Sequence, residues 1–396
     1  RFEGVNQLKI KNHALQIQTS VNEVIEEAPV AFQWINGKKV FVRCEYRLRK
    51  NQVRYYLPDG YDANYPLVID PTLIFATFTG STSDNWGFTA TFDDATNAYS
   101  GGIVNGAGYP TTMGAIQTSF QGASTGVSGS LWYGSDIAIA KYNEDGSQLL
   151  WATYLGGIGN EQPHSIIARG NDELYMLGTT RANNFPVSAN AIQSQLNGEI
   201  DMGISRIQIT GGGVLLGSTY LGGSGIDGIN NRSIPLHHFY GDDARGEIIL
   251  DDFGNCLIAS STASPDFPVT ANAYQPQTGG GAQDGVVCKL NADLSSILWS
   301  TYLGGTNVDA AFSIKTDRNG FVFVSGGTAS PDLFPANTPG WFQFYRGGTA
   351  DGFVARLNPA GTAITAATYI GTSLYDQVFF VQLDSADQVY VTGQTE

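Results

Sequence analysis

Four aspartates recur at the heads of similar hydrophobic segments, and their spacing is the first feature of this chain that suggests chemistry. The segments begin at Asp136, Asp201, Asp284 and Asp351 and read DIAIAK, DMGISR, DGVVCK and DGFVAR. Carboxylates that converge on one axis could act as acids and bases or hold a cation. A catalytic group is expected in one copy only, however, and every copy has this residue. We therefore interpret each Asp as a residue that turns or caps the chain before a strand.

Acidic loop residues are the candidates for a metal site. Asp242-Asp243 and Asp251-Asp252 supply the clustered oxygen ligands that Ca²⁺ prefers, although neither pair follows EF-hand spacing. Ca²⁺ is the one cofactor that the sequence leaves open, at these four residues or at Asp93-Asp94 in the first unit. The adjacent His237 and His238 would point to opposite faces of a strand, so they do not predict a shared metal. No serine elbow or phosphate loop is present, and we expect no enzyme activity.

The elements around these residues repeat. An anchor of the type Ser-Thr-Tyr-Leu-Gly-Gly places its threonine at 153, 219 and 301, with weaker copies at 77 and 368. A hydrophobic segment follows each anchor after a polar turn, and then come an aromatic-Pro loop and the Asp-headed segment. Repeats of this length indicate one supersecondary unit that is used several times.

Each unit holds about four short strands, which is typical of a β-propeller blade. We predict an all-β chain in two parts, a small antiparallel β domain at residues 1–72 and propeller repeats at 73–396. A β-solenoid or a string of β-sandwiches fits the spacing less well. Four full units and part of a fifth are present, so we expect the propeller to continue beyond the end of this sequence.

Composition restricts the classes of partner. The net charge of −15 argues against binding to a nucleic-acid backbone, and no apolar run is long enough to span a membrane. Cys256 and Cys288 fall in the same repeat at core-type positions. Two readings remain open for them, a pair of small buried hydrophobic residues or a disulfide between neighbouring strands.

The order of these motifs resembles the SBBP β-propeller repeat, with the clearest copies at Ser300–Gly305, Asp266–Pro268 and Asp351–Asn358. The segment Leu67–Pro71 resembles the end of an N-terminal β domain that precedes such repeats. This resemblance implies a secreted or cell-surface protein of Bacteroidetes, exposed outside the outer membrane and associated with type IX secretion or gliding motility. It carries no catalytic residues over to this chain.

We therefore expect a non-enzymatic platform that binds other cell-surface or outer-membrane proteins, or glycans. The alternatives are a structural spacer in a large adhesin and a propeller glycosidase or lyase. Aromatic loop residues are the candidate contacts, because Tyr and Trp often anchor partners. These contacts are His237, His238, Phe239 and Tyr240 in an insertion, and Trp341 and Phe342 in a later loop.

Overall fold

The computed structural model describes residues 6–18, 23–50, 52–70, 77–122, 134–230, 235–238, 241–336, 338–340 and 344–396. The chain divides into two compact units, Arg1–Ala76 with Leu383–Gln388, and Thr77–Gln382 with Val389–Glu396. Strands joined by turns make up the regular structure of the described ranges, apart from one 3₁₀ turn at Asp242–Ala244. No helix in these ranges is long and apolar enough to cross a membrane.

The first unit is built from three small antiparallel sheets, ordered β1-β2-β3, β5-β4-β8 and β6-β7. Leu15, Ile17 and Tyr46 form its buried cluster. Its strands are β1 (Gln7–Lys11), β2 (Ala14–Gln18), β3 (Glu23–Glu26), β4 (Val30–Ile35), β5 (Lys38–Val42), β6 (Glu45–Arg49), β7 (Gln52–Tyr56) and β8 (Leu67–Asp70).

The second unit contains four antiparallel sheets of four strands each and a fifth of two strands. The first two sheets comprise β9 (Asn85–Phe92), β10 (Ala98–Val104), β11 (Asp136–Tyr142), β12 (Leu149–Leu155), β13 (Glu161–Arg169), β14 (Glu173–Thr180), β15 (Asp201–Gln208) and β16 (Val214–Leu221). The others comprise β17 (Glu247–Leu250), β18 (Cys256–Thr262), β19 (Asp284–Leu290), β20 (Ile297–Leu303), β21 (Asp309–Thr316), β22 (Val322–Thr328), β23 (Asp351–Leu357), β24 (Ile364–Ile370), β25 (Asp376–Leu383) and β26 (Val389–Thr395).

Within each complete sheet the strands follow chain order, and the first strand is innermost. Strand β13 packs against β9 and β17, and β17 packs against β21. A hydrogen bond of 3.1 Å from Val381 N–H to Ser313 Oγ joins β25 to β21. Four-stranded antiparallel sheets whose innermost strands pack against one another are β-propeller blades. The predicted fold is therefore confirmed.

The anchors become the outermost strands β12, β16, β20 and β24, while the weak copy at Thr77 forms no strand. The hydrophobic core lies between neighbouring blades. Val287 and Leu303 of the third blade, for example, pack with Ala311 and Val324 of the fourth. Cys256 and Cys288 are free thiols buried in the adjoining cluster, so they act as small hydrophobic residues and form no disulfide.

The innermost strands of three blades contain a β-bulge at matching positions. The register slips so that Phe88, His164 and Phe312 have no partner directly opposite on the next strand. A bulge adds one residue to a strand and re-aims its side chain. Each bulge residue is the third after the residue that opens its strand, and Phe379 has this position in the fifth blade.

Candidate functional site

The inner strands of all five blades surround a cavity of about 610 Å³. Five of the side chains that line it are phenylalanine or tryptophan. Trp86 and Phe380 are 48% and 58% exposed, so both present ring surface to solvent. The aromatic lining is Trp86, Phe88, Phe312, Phe379 and Phe380.

One polar side chain, His164, interrupts the ring of phenylalanines at the bulge position. It is 8% exposed, and its Nε2 lies 3.4 Å from the Thr179 hydroxyl. Burial lowers the pKa of His164 to about 4, and the nearby Asp243 carboxylate opposes that shift only in part. The imidazole is therefore neutral at physiological pH and can exchange hydrogen bonds without adding charge to the cavity wall.

The third blade contributes differently, because an insertion precedes its inner strand. Arg245 reaches across the cavity from this insertion, and its guanidinium lies 3.7 Å from the centre of the Phe379 ring. Its Nε and Nη2 donate to Oδ1 of Asp242, at 3.1 and 2.7 Å. Asp242 is fully buried, so an ion pair with this carboxylate and a ring of the fifth blade together fix the guanidinium of Arg245.

Glu247 is held equally firmly on the same wall. Its carboxylate accepts a hydrogen bond of 2.6 Å from the Ser313 hydroxyl and one of 2.8 Å from Ile314 N–H. It also forms an ion pair with Lys315. The cavity therefore combines aromatic surface with a carboxylate, that of Glu247, and a guanidinium, that of Arg245. Contacts within the protein fix the positions of both groups.

The insertion that carries Arg245 also folds inward at Leu236. This side chain is fully buried with Ala310 and Phe312 of the fourth blade and Tyr375 beside the fifth. Its carbonyl accepts hydrogen bonds from Asn230 Nδ2 at 2.9 Å and Gln377 Nε2 at 3.0 Å. The described part of the insertion thus joins the second and third blades to the last one.

The predicted contact residues of the insertion lie nearby. His237 is half-buried, and His238 is exposed with its ring 4.6 Å from that of Tyr375 and its Nε2 3.2 Å from Glu396 Oε1. The insertion residues Phe239 and Tyr240, and the loop residues Trp341 and Phe342, fall outside the described residues. Partner contact by these six residues stays a prediction.

The candidate Ca²⁺ ligands belong to separate local networks. Asp242 pairs with Arg245, whereas Asp251 pairs with Lys289 at 2.8 Å and closes its own turn through Asn255. Asp243 is buried and Asp252 is exposed. Across the ranges that the structure describes, no group of three or more His, Cys, Asp or Glu side chains is placed to hold a metal.

The four recurring aspartates organise the loop before their strands. One carboxylate oxygen accepts a backbone N–H from that loop, donated by Gln121, Asn197, Gly279 and Arg346 at 2.7, 2.9, 2.7 and 2.6 Å respectively. The interpretation that each Asp turns the chain before a strand is confirmed. None of the four lines the axial cavity.

Comparison with known proteins bears on the repeats. Residues 298–335 match the family model described as a β-propeller repeat, SBBP. The chain carries an SBBP repeat. Residues 1–72 match a model described as a domain of unknown function, DUF7948. No curated protein matches the chain at a significant level.

Solved structures that resemble the chain do so weakly. The β-xylosidase RS223 is 12% identical, covering 79% of this chain and 86% of its own, with a TM-score of 0.31. A mutant NanB sialidase from Streptococcus pneumoniae is 9% identical, covering 97% and 77%, with a TM-score of 0.40. A europium-containing methanol dehydrogenase is 11% identical, covering 98% and 72%, with a TM-score of 0.33. These likenesses carry no argument about activity.

Sequence reasoning missed His164, Arg245, Glu247 and the aromatic lining. A signal for His164 was present in the sequence. The third residue after the acidic residue that opens the inner strand is Phe312 after Asp309 and Phe379 after Asp376, but it is His164 after Glu161. Arg245 had no such signal, since the insertion has no equivalent in the other repeats.

Proposed function

We propose that this protein is a non-enzymatic binding module that acts outside the cell and that its axial cavity binds a carbohydrate. The observation that carries the proposal is the wall itself. The partly exposed Trp86 and Phe380 line the same cavity as the fixed Arg245 and Glu247. A sugar ring has an apolar C–H face that packs on aromatic rings and a rim of hydroxyls that bond to charged groups.

Size and charge favour this class of ligand. A cavity of about 610 Å³ lies within the range that is typical of small-molecule sites. Arg245 and Glu247 each have an opposite charge beside them, so the wall holds no excess charge that would demand an ionic ligand. Arg245 also already covers the face of Phe379, where a cationic ligand would otherwise stack.

The carboxylates of the cavity support a binding role over catalysis. A glycosidase needs one carboxyl group that protonates the leaving group and a second that acts as base or nucleophile. Glu247 is engaged by Ser313, Ile314 and Lys315, and Asp242 by Arg245. Glu247 is thus engaged by three protein groups, and Asp242 does not line the cavity, so the described residues of the cavity wall lack the pair of free carboxyl groups that this chemistry requires.

The SBBP repeat and the preceding DUF7948 segment support the extracellular setting, through the family resemblance that the motifs carry. Within that setting we propose a cell-surface protein that belongs to, or is exported by, an outer-membrane secretion or gliding assembly. Its neighbours there would be other surface proteins, and the cavity would supply the glycan contact.

A glycan array followed by calorimetric titration tests the proposal. We expect at least one saccharide to bind, and Trp86→Ala or Phe380→Ala to weaken its Kd by about tenfold or more. Phe92→Ala is the matched control, because Phe92 is 73% exposed on the same strand as Trp86 but lies outside the cavity. Binding that tolerates both cavity variants, or hydrolysis of the bound saccharide, would contradict the proposal.

A further inference from the structure

Two acidic side chains meet wherever the chain passes from one blade to the next. The first opens the third strand of a blade, and the second follows the anchor and precedes or opens the inner strand of the next blade. The four pairs are Asp136 with Glu161, Asp201 with Asp227, Asp284 with Asp309, and Asp351 with Asp376.

The first glycine of each anchor shows how close the two carboxylates come. A Cβ at Gly156 would lie 2.6 Å from both Asp136 Oδ1 and Glu161 Oε2. The two oxygens are therefore no farther apart than the sum of these distances. At the second and fourth junctions, a Cβ at Gly222 or Gly371 would likewise lie close to both carboxylates of the pair. At the third junction, a Cβ at Gly304 would lie close to Asp284. Only glycine leaves room for such a pair.

The second carboxylate of the pair already has hydrogen-bond donors on both oxygens at three junctions. Glu161 accepts from Gly157 N–H at 3.0 Å and from the Thr180 hydroxyl at 2.8 Å. Asp227 accepts from Gly223 N–H, Ser264 and Thr262. Asp309 repeats this pattern with Gly305, Ser330 and Thr328.

The first carboxylate has one open oxygen at every junction. Oδ1 of Asp136, Asp201, Asp284 and Asp351 is buried and has no hydrogen-bond partner, although the residues are at most 1% exposed. Burying a carboxylate oxygen costs free energy unless a hydrogen-bond donor or a cation contacts it. Because the open oxygen occurs at four equivalent positions, it is a feature of the repeat and not of one loop.

The number of open oxygens decides between a metal ion and a proton. Ca²⁺ takes six to eight oxygen ligands, whereas these junctions offer one open carboxylate oxygen each. A proton needs only one oxygen to carry it and one to accept it. We propose that the two carboxylates of each junction share one proton, which fills the open Oδ1 site of the strand-opening Asp, and that losing these protons as the pH rises loosens the contacts between blades.

Neighbouring groups add little positive charge. Asp266 faces the second junction and Asp332 the third, and both add negative charge. Arg346 faces the fourth junction, next to Asp351. The Tyr220 hydroxyl near the first two junctions and the Tyr302 hydroxyl near the second and third are neutral, because burial raises the pKa of each to about 12. The proton is thus the available counter-charge at the first three junctions.

The titration behaviour indicates one proton for each pair, held by the carboxyl group with the higher pKa, which at the first junction is Glu161. Burial raises the pKa of Asp136 and of Asp201 to about 6 and that of Asp284 to about 7, and burial raises the pKa of Glu161 to about 8. A pKa that is raised in the folded state adds stability at low pH, and this stability is lost as the pH rises through the folded value. The chain should therefore lose stability as the pH rises from about 4, the ordinary pKa of these carboxyl groups, to about 8, the highest of the folded values.

Infrared spectroscopy and thermal unfolding of the whole chain test the proposal. At mildly acid pH we expect the carbonyl band of protonated carboxyl groups, which fades at alkaline pH, and a Tm that falls by several degrees from mildly acid to mildly alkaline solution. Asp201→Asn should reduce both effects, because its amide N–H₂ replaces the shared proton as donor to Asp227. Asp252→Asn, at an exposed turn, is the control that should change neither.

Two results would overturn the proposal. The first is the absence of the protonated carboxyl band from the native protein at mildly acid pH, a measurement that needs no variant to fold. The second is a Tm that rises when Ca²⁺ is added and falls with a chelator, with the response lost in Asp201→Asn, because that would assign the open oxygens to a cation.

Discussion

At the scale of single residues, the tyrosine of the anchor explains why the aromatic-Pro step accompanies it in four blades. The Tyr220 hydroxyl accepts a hydrogen bond of 2.8 Å from Phe185 N–H and donates one of 2.7 Å to the Ala182 carbonyl. The Phe185 ring also packs edge-on against Tyr220, with centroids 6.0 Å apart. Tyr302 holds Phe267 in the same way. Motifs that are about 35 residues apart in sequence are therefore one structural contact.

Tyr220→Phe tests this contact. The variant keeps the ring but leaves Phe185 N–H and the Ala182 carbonyl buried and unpaired, so we expect the free energy of unfolding to fall by about 1–3 kcal/mol. Denaturant titration measures the change. Tyr61→Phe, at a side chain that is 51% exposed in the first unit, is the control and should leave stability unchanged. A neutral Tyr220→Phe would contradict the account.

His164→Phe places in the second blade the residue that the fourth blade has at the same position. Burial lowers the pKa of His164 to about 4, so the unfolded chain binds the proton more readily than the folded one below about pH 6.5. Its contribution is present above pH 6.5 and is lost as the pH falls towards 4, by up to about 3 kcal/mol. We expect the variant to lose less stability on acidification than the native chain, as measured by unfolding at pH 7 and pH 4.5. An equal loss in both would show that His164 is not the group responsible.

At the scale of elements, the strands and hairpins of a blade could be predicted from the sequence because their signals are local. Turn residues such as Asp317 and Asn319, and the short hydrophobic run Val322–Val324 that begins β22, need no distant partner to be recognised. The bulges could not be predicted in this way. A bulge is a property of the register between two strands, and nothing in the residue types of His164 or Phe312 marks it.

The anchor glycine gives a prediction for the element that it ends. Gly222 does not require a positive φ, but a Cβ there would strike the carboxylates of Asp201 and Asp227. We expect Gly222→Ala to lower the free energy of unfolding by about 1–3 kcal/mol through overpacking. Gly87→Ala is the control, because a Cβ at Gly87 meets nothing within 4 Å. If the two variants were equally stable, the glycine would not be required by the carboxylate pair.

At the scale of the whole molecule, the repeat spacing predicts a propeller, whereas the cavity at its axis is a product of assembly. Phe88, Phe312 and Phe379 belong to the first, fourth and fifth blades and meet only when the blades pack around one centre. The insertion is the least predictable part. It has no counterpart in the other repeats, so no column of equivalent residues reveals that Leu236 and Arg245 fold inward.

Arg245 links the third blade to the fifth, which makes it the sharpest test of that assembly. Arg245→Met keeps much of the side-chain stem but removes the guanidinium that neutralises the buried Asp242, so we expect a loss of about 3–5 kcal/mol. Arg181→Met is the matched control, since its ion pair with Glu199 at 2.6 Å is exposed and should contribute about 1 kcal/mol or less. Unfolding curves that show similar losses for both would contradict the inward placement of Arg245.

The central claim is that the axial cavity is the carbohydrate site of this propeller. The most direct measurement is a crystal structure of the whole chain with a saccharide that the glycan array selects. The account predicts a sugar ring stacked on Trp86 or Phe380, with hydroxyls in hydrogen-bond reach of Arg245 or Glu247. Sugar density on the outer aromatic-Pro loops, with the cavity unoccupied at saturating saccharide, would contradict it.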